Sequence, residues 1–113
     1  MITIYHNGRC SKSRGALEIL QEENIPHEVR WYLTEPLSAM ELKILLKKLG
    51  MKAEELLRKN ETFYKENLKG KVLSDAAIIK EMVDHPELIE RPIVENGDKA
   101  VVARPTERLH EVL

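Results

Sequence analysis

A chain of 113 residues holds one compact domain and leaves no room for a second, and its 42% hydrophobic residues suffice for one modest core. The formal net charge of −1, with 33% charged residues of both signs, lacks the basic excess of a protein that grips nucleic acid electrostatically, so no nucleic-acid partner is expected. No apolar run approaches the ~20 residues of a membrane span, Met1 to Tyr5 does not read as a signal peptide, and a lone cysteine excludes an intramolecular disulfide or a metal site built on several thiolates. These features set the expectation of a cytoplasmic protein with no membrane partner and no bound metal.

Ile2-Thr3-Ile4-Tyr5 reads as a short strand, rich in β-branched and aromatic residues. Asn7-Gly8 marks a turn, and Ser11 and Ser13 are candidate helix N-caps. Ala16, Leu17, Ile19 and Leu20 fall at helical spacing, and Asn24 with Pro26 ends that helix. His27 to Leu33 reads as a second strand carrying Val29, Trp31 and Leu33. Strand, helix and strand together make a βαβ unit, for which a right-handed crossover is the rule.

Pro36 opens a different stretch. Ser38-Ala39-Met40-Glu41 is a capping box ahead of Leu42, Leu45, Leu46 and Leu49, and Gly50 stands where a helix-ending glycine belongs. A shorter helix is expected over Lys52 to Arg58 and another over Phe63 to Leu68. Ser74 caps a further helix with Ile78, Ile79, Met82 and Val83 inward, stopped by His85-Pro86. Nothing in this block reads as a strand. Pro92 to Glu95 and Lys99 to Ala103 then flank Asn96-Gly97-Asp98 as a hairpin, and Thr106 to Leu113 forms a last helix with Leu109 and Val112 apolar. The order is βαβ, several helices, then ββα. It describes a single α/β domain over residues 1–113, thioredoxin-like, with a helical insertion at about 36–86 between the two halves.

Cys10 falls between the first strand and the first helix. Helix N-termini present unpaired N–H groups and the positive end of the macrodipole, which favour thiolate, the reactive form of cysteine. Arg9, Lys12 and Arg14 add positive charge, His6 is placed to hydrogen-bond or, protonated, to lower the thiol pKa further, and Ser13 to donate to the sulfur. The same loop is a candidate oxyanion cradle. A buried structural cysteine is the bland alternative, and the polar, cationic neighbours make poor core. Arg91 and Arg104 each precede a proline at the edges of the hairpin, and Arg is suited to multidentate oxyanion binding. His27, His85 and His110 show no metal-ligand spacing.

Four segments carry a family resemblance. Ile4 to Asn7 with Cys10, Ser13 and Arg14 resembles the active-site loop of the glutaredoxin-coupled arsenate reductases, the ArsC family. Leu56-Leu57-Arg58-Lys59-Asn60, then His85-Pro86 through Arg91-Pro92-Ile93-Val94, then Arg104-Pro105, resemble the family's later segments in the same order. The resemblance implies a thioredoxin-like fold with a helical insertion, Cys10 as nucleophile, and His6, Ser13 and Arg14 in support of the thiolate and the anion site. It implies that Arg58, Arg91 and Arg104 bind arsenate and the later arsenic adducts, and that Pro92 is the fold's cis-proline facing the loop. It also implies glutathione and glutaredoxin as external reductants and no bound cofactor. Gly8 departs from the proline of well-known arsenate reductases. Ser13 replaces the second cysteine of the related Spx-type regulators, which bind RNA polymerase without turnover. Such a regulatory module, and a thiol oxidoreductase acting on glutathione mixed disulfides, are the rival readings.

Overall fold

The computed structural model describes all residues from Met1 to Leu113. Its chain forms two compact units, Met1–Glu35 with Arg91–Leu113, and Pro36–Glu90.

The first unit is built on a four-stranded sheet of order β2-β1-β3-β4. Strand β1 (Ile2–Tyr5) pairs in parallel with β2 (His27–Arg30), across helix α1 (Ser11–Glu22), and antiparallel with β3 (Ile93–Asn96). Strand β4 (Lys99–Val102) pairs antiparallel with β3. This is the thioredoxin-like arrangement expected from the order of elements. The register places Ile4 opposite both Val29 and Val94, so that one face of the sheet is apolar at its centre. Ile2, Ile4 and Val94 pack there with Ala16 and Leu20 of α1, and with Leu109 of the closing helix, all buried. Tyr5 is also buried, and its hydroxyl donates to Glu95 Oε1 at 2.8 Å. The β3–β4 loop is Gly97-Asp98, with Gly97 at φ +62°, the glycine-first pattern of a type II′ hairpin. The peptide bond Arg91–Pro92 is cis, as the resemblance implies, and Arg104–Pro105 is cis as well.

The second unit is helical. In α2 (Ala39–Leu49), the Ser38 hydroxyl accepts from Glu41 N–H while the Glu41 carboxylate accepts from Ser38 N–H, the reciprocal capping box that the sequence announces. Gly50, at φ +66°, ends the helix. Helix α3 is only Ala53–Leu56, and Tyr64–Leu68 is a turn of π-helix. Ser74 caps α4 (Asp75–Asp84) by accepting from Ala77 N–H. Helix α4 packs against both α2 and α3, burying Ile78, Ile79 and Met82. No strand forms here, though Leu57 and Ile89 make an isolated bridge and Arg58 N–H donates to Leu88 O at 2.7 Å. No helix of the protein is long and apolar enough to cross a membrane.

Three expectations about elements need correction. Strand β2 stops at Arg30 because the Trp31 carbonyl accepts from both Thr34 N–H and Glu35 N–H, turning the chain away from the sheet. Trp31 and Leu33 are therefore exposed, and Tyr32 between them is buried. The expected helix over Lys52 to Arg58 loses its last residues, because Leu57 adopts extended backbone at the bridge. The last helix, Thr106–Val112, is wound as a 3₁₀ helix and still buries Leu109 and Val112.

Candidate active site

Cys10 itself is the N-cap of α1, with extended backbone at φ −96° and ψ 121° and its carbonyl accepting from Arg14 N–H at 3.0 Å. Neither Ser11 nor Ser13 is the cap, contrary to the sequence reading. Both lie inside the first turn, and the cap position falls to the cysteine. An N-cap side chain ordinarily accepts from the backbone N–H two or three residues on. The Cys10 side chain makes no such capping hydrogen bond, although the backbone N–H groups of Lys12 and Ser13 favour its thiolate.

The half-buried thiol is acted on in both directions. Burial raises its pKa, but the Ser13 N–H, the Arg91 guanidinium and the Lys12 N–H each favour the thiolate, and together they hold it below its ordinary value. The charge of Arg91 adds to the effect. A residue 81 positions away in the chain thus supplies the cation at the thiolate, while the long-range pairing of β1 with β3 brings it there.

The loop before Cys10 is fixed by its own polar groups. Asn7 is buried, and it offers its carbonyl to Cys10 N–H at 3.0 Å and its side-chain oxygen to Arg9 N–H at 3.0 Å. Its own N–H donates to Ser13 Oγ at 3.0 Å. Ser13, fully buried, also lies with its Oγ 2.7 Å from His6 Nδ1. The Ser13 hydroxyl is therefore committed to the loop and the imidazole, and the residue serves the sulfur through its backbone N–H. Burial holds the His6 pKa below its ordinary 6.5, with the Ser13 hydrogen bond pulling it upward and the charge of Arg14 pushing it further down. That direction opposes a protonated His6 acting on the thiol. The ring instead braces Ser13 on one side and meets the edge of Trp31 on the other, with centroids 4.8 Å apart.

Arg14 Nη1 donates to Gly8 O at 3.0 Å, tying the helix back to the loop. Arg104 is exposed, and its Nη1 donates to Arg91 O at 3.3 Å, which places its guanidinium beside the residue that bonds the sulfur. The structure thus gathers His6, Cys10, Ser13, Arg14, Arg91 and Arg104 within one unit. Arg58 belongs to the helical unit, where its Nε lies 3.3 Å from Glu61 Oε1. Nowhere do three His, Cys, Asp or Glu side chains converge as a metal site requires. Two contributors escaped the sequence reading as site residues. Asn7 was legible only as half of an Asn-Gly turn, although a side-chain turn at Asn is the same signal. Trp31 was read as part of a strand.

The profile of the ArsC family matches residues 5–112. The chain belongs to the ArsC family. It is 49% identical over 114 aligned residues to the uncharacterized protein YfgD of Escherichia coli K12, covering 99% of this chain and 96% of that one. It is 45% identical to a protein named arsenate reductase in Neisseria meningitidis, across 99% of this chain and 97% of the relative. Among solved structures, an arsenate reductase from Vibrio cholerae superposes with a TM-score of 0.94 at 43% identity, covering 99% of this chain and 97% of that one. The matches to these ArsC proteins span both units, so the helical segment is part of the family's architecture as well as of this chain.

Proposed function

We propose that this ArsC-family protein is an arsenate reductase that works through a covalent Cys10–arsenic intermediate, with glutathione and glutaredoxin as its external reductants. The observation that carries the reading is the placement of Cys10, a half-buried thiol at the N-cap of α1 whose pKa is lowered, against burial, by the Ser13 N–H, the Arg91 guanidinium and the Lys12 N–H. Relatives named arsenate reductase at 38–45% identity support the choice of substrate.

The chemistry follows from one thiolate beside cationic donors. The Cys10 thiolate attacks arsenic in arsenate, an As–S bond forms, and one oxygen leaves as water after protonation, with arsenic still pentavalent. Glutathione replaces a second oxygen, which also leaves as water, to give an S–As–S adduct. The glutaredoxin thiolate then attacks the glutathione sulfur. A disulfide forms, and the electron pair of that As–S bond passes to arsenic, which becomes trivalent. Water cleaves the remaining bond, releasing arsenite and the Cys10 thiol. With only one cysteine in the chain, both electrons must come from outside it. Arg91, supported by Arg104, offsets oxyanion charge through these steps, the kind of fixed electrostatic stabilisation that is often the largest catalytic contribution. Arg58 is assigned to oxyanion binding on the family resemblance. His6 and Ser13 hold the loop, and Arg14 anchors it through Gly8.

The test is arsenite formation from arsenate with glutathione and glutaredoxin, monitored by coupled consumption of the reductant that regenerates glutathione. The parent protein should turn over. Cys10→Ser should not, and omission of every external thiol should abolish arsenite release by the parent. Equal activity of parent and Cys10→Ser would refute the reading.

A further inference from the structure

A cleft of about 370 Å³ opens beside the Cys10 loop. One wall is Asn7, Gly8 and Arg9, the residues that lead into Cys10, and the other is Trp31, Leu33 and Thr34 from the turn after β2. Trp31 is 48% exposed and Leu33 37%, two large apolar side chains left in solvent next to the nucleophile's loop. The turn that carries them is held by its own hydrogen bonds, from Thr34 N–H and Glu35 N–H to the Trp31 carbonyl and from Arg30 Nε to the Glu35 carbonyl. The opposite wall is fixed by the Asn7 bonds already described. The cleft is therefore pre-formed, and its volume is in the range of small-molecule sites. Arg9 is the one arginine or lysine lining it, and no carboxylate faces it.

We propose that this cleft docks the external thiol, a small carboxylate-bearing thiol of the glutathione class, which lies over Trp31 and Leu33 with a carboxylate toward Arg9 and its sulfur toward the Cys10 loop. The proposal rests on the reading in which an outside thiol resolves the Cys10 adduct. Such a thiol has to approach the loop, and this concave, tripeptide-sized space borders the loop directly. Its apolar wall suits the methylene backbone of the ligand, while its cationic rim suits the ligand's charge. A glutaredoxin surface, by contrast, would need a broad face in place of a small recess.

Trp31 is the only tryptophan in the chain, so its emission reports on the cleft directly. The full-length protein is titrated with S-methylglutathione, which cannot react, in the absence of arsenate. The expected result is a saturable change in emission that weakens with added salt. Leu33→Glu, which sets a like charge against the ligand's carboxylates on an exposed position, should weaken the apparent Kd about tenfold. In turnover the same substitution should raise KM for glutathione by a similar factor and leave KM for arsenate at the parent value. Arg9→Gln should remove most of the salt dependence. Absence of a saturable change, or an unaltered Kd in Leu33→Glu, overturns the proposal. So does an emission change with glutaredoxin and none with S-methylglutathione, which would assign the face to a protein partner. Saturable binding without any arsenite formation would refute the arsenate reading and leave the cleft intact, so the two failures are distinguishable.

Discussion

The sulfur of Cys10 is stabilised by two backbone N–H groups and one guanidinium, and these differ in what mutation can reach. The N–H groups of Lys12 and Ser13 survive any side-chain change, whereas Arg91 does not. Arg91→Lys keeps the charge and loses the planar fork, so it separates geometry from charge. A hydrogen bond to a charged group contributes ~1.5–3 kcal/mol, so kcat/KM for arsenate should fall roughly ten- to a hundredfold in Arg91→Lys. Steady-state kinetics would show it, and parent-like kinetics would remove Arg91 from the site. His6 gives a prediction about pH. Its pKa is lowered from 6.5 in the folded protein, mainly by burial, so the unfolded chain binds a proton there before the native one does. The stabilisation is present above pH 6.5 and is lost as pH falls through the lowered folded value. His110, raised by its bond to Glu23, acts in the opposite sense, its contribution being lost as pH rises. Thermal melts of the parent and His6→Gln from pH 7.5 to 5 isolate the first effect. The Tm difference between the two proteins should narrow as pH falls, and a constant difference would contradict the burial argument.

At the scale of the element, the start of α1 unites stability with chemistry. A cysteine stands where a serine or aspartate is the usual cap; its side chain makes no capping hydrogen bond, while the N–H groups of the first turn favour its thiolate. Cys10→Ser should therefore abolish turnover without destabilising the fold. Cys10→Ala, which has no acceptor, should be less stable than Cys10→Ser by ~0.5–2 kcal/mol, the ordinary value of a cap. Urea melts of the two variants would decide the matter, and equal midpoints would show that the sulfur position does not cap. The capping boxes and turns were the elements most legible in the sequence. Ser38 with Glu41, Ser74, Gly50 and Gly97 each act as their residue types require. What was not legible depends on partners distant in sequence. The end of β2 is set by where the Trp31 carbonyl is bonded. The role of Ser13 is set by His6 and Asn7, which compete for its hydroxyl and withdraw it from both capping and the sulfur.

For the molecule as a whole, the order of elements already indicated the thioredoxin-like sheet, because β-branched strands, an Asn-Gly-Asp turn and helix caps are local signals. The site is not local. Cys10 and Arg91 meet because β1 pairs with both β2 and β3, so residues from three separated segments of the chain, around Cys10, at Arg91 and at Arg104, become one cluster in the sheet unit. The resemblance identified those positions, and chain geometry explains why they belong together. The central claim is that this cluster makes Cys10 a thiolate within an oxyanion site. The most direct measurement is the rate of Cys10 alkylation by iodoacetamide against pH, with and without arsenate. As the only cysteine, Cys10 gives an unambiguous signal. The account predicts an inflection below that of an ordinary thiol, moved upward in Arg91→Ala, with arsenate slowing alkylation of the parent. An ordinary inflection, with no effect of arsenate or of Arg91→Ala, would contradict it.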